Sequence, residues 1–277
     1  MTYGVIVGER GDPARWRSER RWLPRGPGTA YRRLQTVSHL LRRDREAVTR
    51  FLASSDYPLS RWQRVRLLRS FGQITNAIRG YHTLTEMLTV ADLVLRLAGR
   101  PDLTLVEAGA GAGASTAKLS LVARAAGARL HVFDTFRGIP DNREQHHMLD
   151  GTPVRFVKGA FRGRLGAVKR RVREHGVIEV CTFHKGLLED TLPRFASPVD
   201  VALIDVDLLE STRTCVRELY PRLRPGGALV SQDGHLRATH DLLSDDAFWR
   251  DEVGRDRPVI EGLGRDKLIV IPGPRGA

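Results

Sequence analysis

Apolar positions along this chain change their spacing near residue 100. Upstream they recur at helical intervals: Val37, Leu40, Leu41, Val48, Phe51 and Leu52 form one series, broken by Asp56-Tyr57-Pro58. Ser60 with Gln63 three residues on is a capping-box start for a helix carrying Trp62, Val65, Leu68 and Phe71. Thr83 with Glu86 heads another, with Leu84, Met87, Leu88, Ala91 and Leu95 on its face and Gly99 at its end. Downstream the pattern becomes short apolar runs, at Leu103–Val106, Arg129–Phe133, Val177–Phe183, Val199–Ile204 and Ala228–Ser231. Helical spacing fills the gaps at 115–126, 165–174 and 211–223, and strands alternating with helices predict a parallel sheet. A helix around Asp241–Trp249 follows, then strands Pro258–Glu261 and Lys267–Ile271 joined by a glycine turn, an antiparallel finish. The expectation is an α/β, Rossmann-like fold with a mostly parallel seven-stranded sheet closed by an antiparallel C-terminal hairpin. Three regions are expected: a flexible basic arm over 1–35, a helical region over 36–100, and a cofactor-binding domain over 101–277. The helical region would pack on that domain as a lid or as a dimerisation element, the latter giving a homo-oligomer.

The stretch LTLVEAGAGAGAS, Leu103 to Ser115, is a strand, a glycine turn and a helix start, the arrangement of a nucleotide-cofactor site. Gly109, Gly111 and Ala114 also satisfy the dinucleotide fingerprint, so the glycines alone do not choose the ligand. Glu107 does, because a carboxylate beside the loop repels a pyrophosphate and suits a cation. S-adenosyl-L-methionine, with its ammonium and sulfonium, is such a ligand. Asp134 ends the second strand 25 residues past Gly109, where a carboxylate can accept from ribose hydroxyls. Asp205 and Asp233 end later strands, so four carboxylates are expected on one rim of the sheet. Asp207 and Glu210 read as caps of the following helix. Residues 142–160 read as an irregular excursion, with His146 and His147 as solvated loop histidines, and Tyr81 and His82 read as surface residues at a helix start in preference to contacts with the acceptor. No tyrosine has a lysine four residues later, which removes a proton-donor pattern that a nicotinamide oxidoreductase would use.

Charge adds one distinction. The net charge is +13, but residues 1–100 hold 19 arginines against 8 acids, so the excess sits upstream of a nearly neutral cofactor domain. Forty of the 45 basic residues are arginine, and no aromatic-interleaved basic motif accompanies them, so nucleic-acid binding is not the favoured reading. Two distant cysteines, Cys181 and Cys215, suit a reducing compartment, and no run reaches a membrane span. A cytoplasmic protein without membrane contact is expected.

Four stretches, VEAGAGAGAST, VFDTFRGIP, KGLLEDTLP and DVDLLEST with LRPGGALVSQDGH, resemble the macrocin O-methyltransferase family, which includes macrolide-sugar and aminocoumarin-sugar enzymes. The resemblance covers about Leu103 to Trp249 and implies a class I methyltransferase fold. It implies that Glu107, Gly109, Gly111 and Gly113, with Ser115 and Thr116, hold the methionine end of the cofactor. Asp134, with Thr135 and Phe136, would take the ribose, Gly186 and Leu187 would border the adenine, and Asp205 would reach the cofactor as well. Family members hold Mg2+ through an aspartate ending strand four and an aspartate pair ending strand five. Here the positions read Asp205 and Gln232-Asp233, one amide in place of a carboxylate. The family's tyrosines are Leu209 and Gly234 in this chain, departures that point to a different acceptor. The implied activity is S-adenosylmethionine-dependent O-methylation of a small specialised metabolite, a sugar or natural-product scaffold of the kind made in antibiotic biosynthesis, with Asp205 and His235 as catalytic candidates. Two rival readings are a cofactor-binding protein without turnover and a nucleic-acid methyltransferase using the arginine-rich arm.

Overall fold

The computed structural model describes residues 5–7 and 44–274. In chain order, β1 (Val5–Val7) precedes three helices, α1 (Arg45–Ala53), α2 (Arg61–Ala77) and α3 (Leu84–Leu95). The domain follows as β2 (Thr104–Ala108), α4 (Ala114–Ala126), β3 (Arg129–Asp134), β4 (His146–His147), β5 (Pro153–Phe156) and α5 (Leu165–His175). It continues through β6 (Cys181–Lys185), α6 (Leu188–Thr191), β7 (Val199–Ile204), α7 (Leu209–Leu219), β8 (Leu223–Ser231), α8 (Arg237–Ser244) and β9 (Ile269–Pro272). Both capping boxes form, Ser60 with Gln63 on α2 and Thr83 with Glu86 on α3. Each satisfies two backbone N–H groups that a helix start otherwise leaves open.

The main sheet runs β6-β3-β2-β7-β8-β9, parallel except for β9 against β8. Central β2 and β7 are buried along their length, which explains their continuous apolar runs. Leu103 and Leu105 turn to the face covered by α1 to α5, while Val106 and Ala108 turn to the face covered by α7, α8 and Trp249. The chain leaves β2 for β3 on one side and returns through β7 on the other. The crevice at the C-terminal ends of β2 and β7 is therefore the switch point where such sheets bind ligands.

Among the described residues the main sheet has six strands, not seven. The expected partner at Pro258–Glu261 is reduced to one bridge, Glu261 to Val270, because Pro258 has no N–H and Val259 lies 86% exposed with nothing to bury it. The helix expected at 241–249 runs Arg237–Ser244, followed by a wide turn over Phe248–Val253. Val177 to Val180 is a short 3₁₀ turn and its neighbour rather than strand. Residues 142–160 are not irregular throughout: β4 and β5 pair antiparallel, and β1 adds parallel to β5. The rest of the 1–35 arm and the helix start at Thr36 lie outside the described residues. Among the described residues, no helix is long and apolar enough to cross a membrane.

Candidate active site

The glycine loop owes its shape to crowding. Gly109 has φ +92°, and a Cβ there would stand 1.9 Å from the Asp205 carbonyl oxygen. Only glycine lets the ends of β2 and β7 close to this distance, with Asp205 N donating to Ala108 O at 2.9 Å. Asp134 braces the loop from the next strand. Its Oδ2 accepts from Ala110 N at 2.7 Å and Gly111 N at 3.2 Å, and its Oδ1 from Phe136 N at 2.5 Å. One lone pair of Oδ1 stays available to a ligand hydroxyl.

Over this loop lies a cavity of about 460 Å³. Gly109, Gly111, Ser115, Asp134, Thr135 and Asp205 line it. Gly113, Thr116, Phe136, Gly186 and Leu187 do not; Leu188, next to Leu187, does. Glu107 lies beneath, fully buried, close to the Ser115 and Thr116 hydroxyls without a hydrogen bond of full geometry. Burial pushes its pKa up to about 8, against the lowering effect of those hydroxyls.

At the far side of the loop, Asp205, Asp207 and Asp233 bring one carboxylate oxygen each within 4.8 Å of one another. Asp233 Oδ2 accepts from Val206 N at 3.2 Å and Asp207 N at 3.1 Å. Asp207 is held at φ +63°, a conformation an aspartate adopts only at some cost, and it faces the cavity instead of capping α7. Burial, then the neighbouring carboxylates, raise the proton affinity of Asp205 and Asp207, while Lys267 opposes the rise. Gln232 takes no part in the cluster. Its amide is buried without a hydrogen-bond partner, and Asp207 fills out the carboxylate set.

Three walls complete the cavity. One is the junction between α2 and α3, where Arg79, Tyr81 and His82 face inward and not, as expected for Tyr81 and His82, outward to solvent. Another is the β4–β5 excursion, offering Met148, Val154, Phe156 and Phe161. The third holds His235 and Lys267. Tyr81 and Phe161 meet edge-on, ring centroids 4.9 Å apart, where the junction and the excursion touch. His146 is buried at 2% exposure between Glu144 and Phe156, contrary to the expectation of a solvated histidine, because β4 pairs into the small sheet. Sequence reasoning missed Lys267, which arrives from a turn far along the chain. Gly234 gave the signal: a Cβ there would stand 2.5 Å from Asp266 O, so this glycine admits the segment that delivers Lys267.

Comparison with known proteins agrees with this geometry. Residues 106–234 match a family model described as a methyltransferase domain. These residues resemble a methyltransferase domain. The chain is 31% identical over 168 residues to the 8-demethyl-8-(2,3-dimethoxy-alpha-L-rhamnosyl)-tetracenomycin-C 4'-O-methyltransferase of Streptomyces olivaceus, covering 58% of this chain and 63% of that protein. Demethyldecarbamoylnovobiocin O-methyltransferase of Streptomyces niveus is 31% identical over 137 residues, 47% of this chain and 52% of its own. The chain thus spans less than two thirds of either relative. Among solved structures, the O-methyltransferase NovP superposes with a TM-score of 0.57 at 23% identity over 70% of this chain and 81% of that one. CalS11, a calicheamicin methyltransferase, does so with 0.55 at 19% identity over 91% and 95%. Both carry the same fold.

Proposed function

We propose that this chain transfers a methyl group from S-adenosylmethionine to a hydroxyl of a small specialised metabolite, a glycosylated scaffold of the kind named in its relatives. The observation that carries the reading is the meeting of the glycine loop with Asp205, Asp207 and Asp233 in one cavity. The cofactor fits the residues present. Glu107 is a buried carboxylate without a partner beneath the loop, suited to an ammonium, and Asp134 and Thr135 offer acceptors to the ribose. The site residues from Gly109 to Ser115 bring backbone N–H groups and no bulk. Leu188 gives the adenine an apolar wall.

A divalent cation fits as well, since three converging carboxylates are a hard oxygen donor set whose mutual repulsion a cation would relieve. Asp205, Asp207 and Asp233 would hold Mg2+, which would lower the pKa of the acceptor hydroxyl. With those carboxylates committed, His235 is the group left to take the hydroxyl proton, its ordinary pKa lying near neutral. The transfer is an in-line displacement at carbon, so holding the two substrates in register supplies much of the acceleration. The Met148, Val154, Phe156 and Phe161 wall gives the acceptor an apolar surface, and the chain fixes that wall to the rim. Leu149 N donates to His235 O at 3.0 Å, and Met148 bridges to Leu236. A nucleic-acid acceptor is disfavoured at this rim, where three clustered carboxylates would face a phosphate backbone.

Calorimetric titration with S-adenosylhomocysteine tests the donor half. Binding in the wild type that weakens in Asp134→Asn supports it, and no binding in the wild type refutes it. Methyl transfer to a panel of rhamnosylated aromatic polyketides, with magnesium and with a chelator, tests the acceptor half. Turnover lost in Asp205→Asn and His235→Asn with S-adenosylhomocysteine binding retained supports the assigned roles. Binding without turnover on any hydroxylated acceptor would leave the chain a cofactor-binding protein only.

A further inference from the structure

The cavity wall formed by the α2–α3 junction is held in place by contacts that methyl transfer does not use. Gly80 lies so close to α4 that a Cβ there would stand 2.9 Å from the Cβ of Ala114. Lys267 Nζ donates to the Tyr81 carbonyl at 2.8 Å. His82, next along, meets a lysine of the domain: Lys118 Nζ stands 3.0 Å from His82 Nε2. Lys118, on α4, is 2% exposed and packs against the helical region, with the Phe71 ring centroid 5.9 Å from its ammonium.

Few charges surround this pair. Glu86 on α3 faces Lys118, but its carboxylate already accepts from Thr83 N at 2.7 Å in the capping box. Lys267, from the segment before β9, adds a second positive charge near His82. Burial outweighs the Glu86 charge and pulls the Lys118 pKa down to about 7. His82 lines the cavity and Lys118 stands behind it. When Lys118 is protonated its ammonium only donates, and the contact then makes Nε2 the acceptor and leaves the ring proton on Nδ1.

We propose that Lys118, acting through His82, positions the carboxylate at the amino-acid end of the cofactor, with His82 Nδ1–H as the direct donor. The inference rests on the methyl-donor reading above. With the ribose at Asp134 and Thr135 and the methyl group at the acid rim, one corner of the cavity is left for the amino-acid end. That corner lies between Ala114–Ser115, at the start of α4, and the Gly80–Thr83 junction. Open backbone N–H groups of the helix start and the His82 donor together suit a carboxylate, while Glu107 beneath serves the ammonium. The 3.0 Å contact with the protonated Lys118 favours the tautomer that donates from Nδ1.

The test compares two nucleosides on the full chain by calorimetry: S-adenosylhomocysteine, and 5'-deoxy-5'-methylthioadenosine, which keeps adenine and ribose but has no carboxylate. Lys118→Met and His82→Ala are expected to weaken S-adenosylhomocysteine about tenfold or more. The same variants should leave methylthioadenosine within about twofold of wild type, the scatter of a contact that is not made. His82→Asn, which keeps a donor at the δ position, is expected to recover part of the loss. Equal losses for both nucleosides would show a structural role only and overturn the proposal, as would unchanged S-adenosylhomocysteine affinity in both variants. Wild type that binds methylthioadenosine as tightly as S-adenosylhomocysteine keeps the nucleoside site and overturns this inference alone. Wild type that binds neither removes the methyl-donor reading itself. Should Lys118→Met fail to fold, the His82→Ala and His82→Asn pair carries the same comparison.

Discussion

Glu107 shows how much of a residue's state its place in the sequence leaves open. The sequence puts a carboxylate at the end of the strand before the glycine loop; only the packing reveals that both oxygens are buried and that burial lifts the pKa to about 8. Because the folded pKa lies above the ordinary value of 4.5, the folded chain keeps a proton that the unfolded chain has released. Stability of the ligand-free chain should therefore fall as pH rises between those two values, by up to about 1.4 kcal/mol per pH unit. Glu107→Gln should flatten that fall, raising the thermal midpoint relative to wild type at alkaline pH, and should weaken S-adenosylhomocysteine. Melting curves across the pH range, with a titration beside them, check both halves; a stabilised variant with unchanged affinity would separate Glu107 from the ligand. Lys267 was less accessible to sequence reasoning, since its role depends on a backbone approach at Gly234. Its charge faces Asp205 and Asp207, so Lys267→Met should tighten Mn2+ binding, measurable by the metal's paramagnetic resonance signal. Unchanged or weaker Mn2+ binding would show that the lysine does not compete for the cluster.

Among the elements, those whose start is written locally were legible. The Ser60–Gln63 and Thr83–Glu86 boxes both form where the spacing placed them, and the buried strands β2, β3 and β7 announced themselves as apolar runs. Helix α7 is the counterexample. Its own N-cap residue, Leu208, has no side-chain oxygen, and its first N–H groups are satisfied from 65 residues away. Glu144 Oε2 accepts from Leu209 N at 2.7 Å, and Oε1 from Glu210 N at 3.4 Å. Burial raises the Glu144 pKa, but His146 and the two backbone donors outweigh it and hold the carboxyl below its usual range. No periodicity could disclose this contact, because it joins a segment without pattern to a helix without a cap. Glu144 thereby ties the segment leading into β4 to the helix start that follows the Asp205–Asp207 turn. Glu144→Ala should cost about 1 kcal/mol of stability, the value of a helix cap, and should raise the acceptor KM while S-adenosylhomocysteine affinity stays unchanged. Glu144→Gln, still an acceptor, should restore most of both. Steady-state kinetics in each substrate separately decide the matter, and a variant that loses cofactor affinity instead would place Glu144 elsewhere in the mechanism.

At the scale of the whole molecule, the two ends of the parallel sheet treat carboxylates in opposite ways. At the N-terminal ends of the strands Asp200 is fully buried and fully paired. It accepts from Thr104 N at 2.8 Å, pairs with Arg100 at 2.8 Å and pairs again with Arg224, tying the end of the helical region to β2, β7 and β8. At the other end Asp205 and Asp207 share no such partners and carry the raised proton affinities that follow. The same residue type thus stabilises at one rim and stores repulsion at the other, where a ligand can relieve it. The sequence located the acids at the C-terminal rim because strand ends are visible in an apolar pattern. It could not distinguish a paired aspartate from an unpaired one, since Arg100 and Arg224 lie 100 and 24 residues from Asp200. Separation of the two roles is measurable. Asp200→Ala should destabilise the fold by about 2–3 kcal/mol, less than the loss of a wholly buried ion pair because both arginines reach solvent. The molecules that remain folded should bind S-adenosylhomocysteine as wild type does. Asp207→Asn should do the reverse, leaving stability equal or higher by removing one repulsive charge while abolishing turnover. Denaturant unfolding and single-turnover methyl transfer on the same two variants make the comparison. If Asp207→Asn unfolds the chain, or Asp200→Ala abolishes turnover in folded molecules, stability and chemistry are not divided between the ends of the sheet.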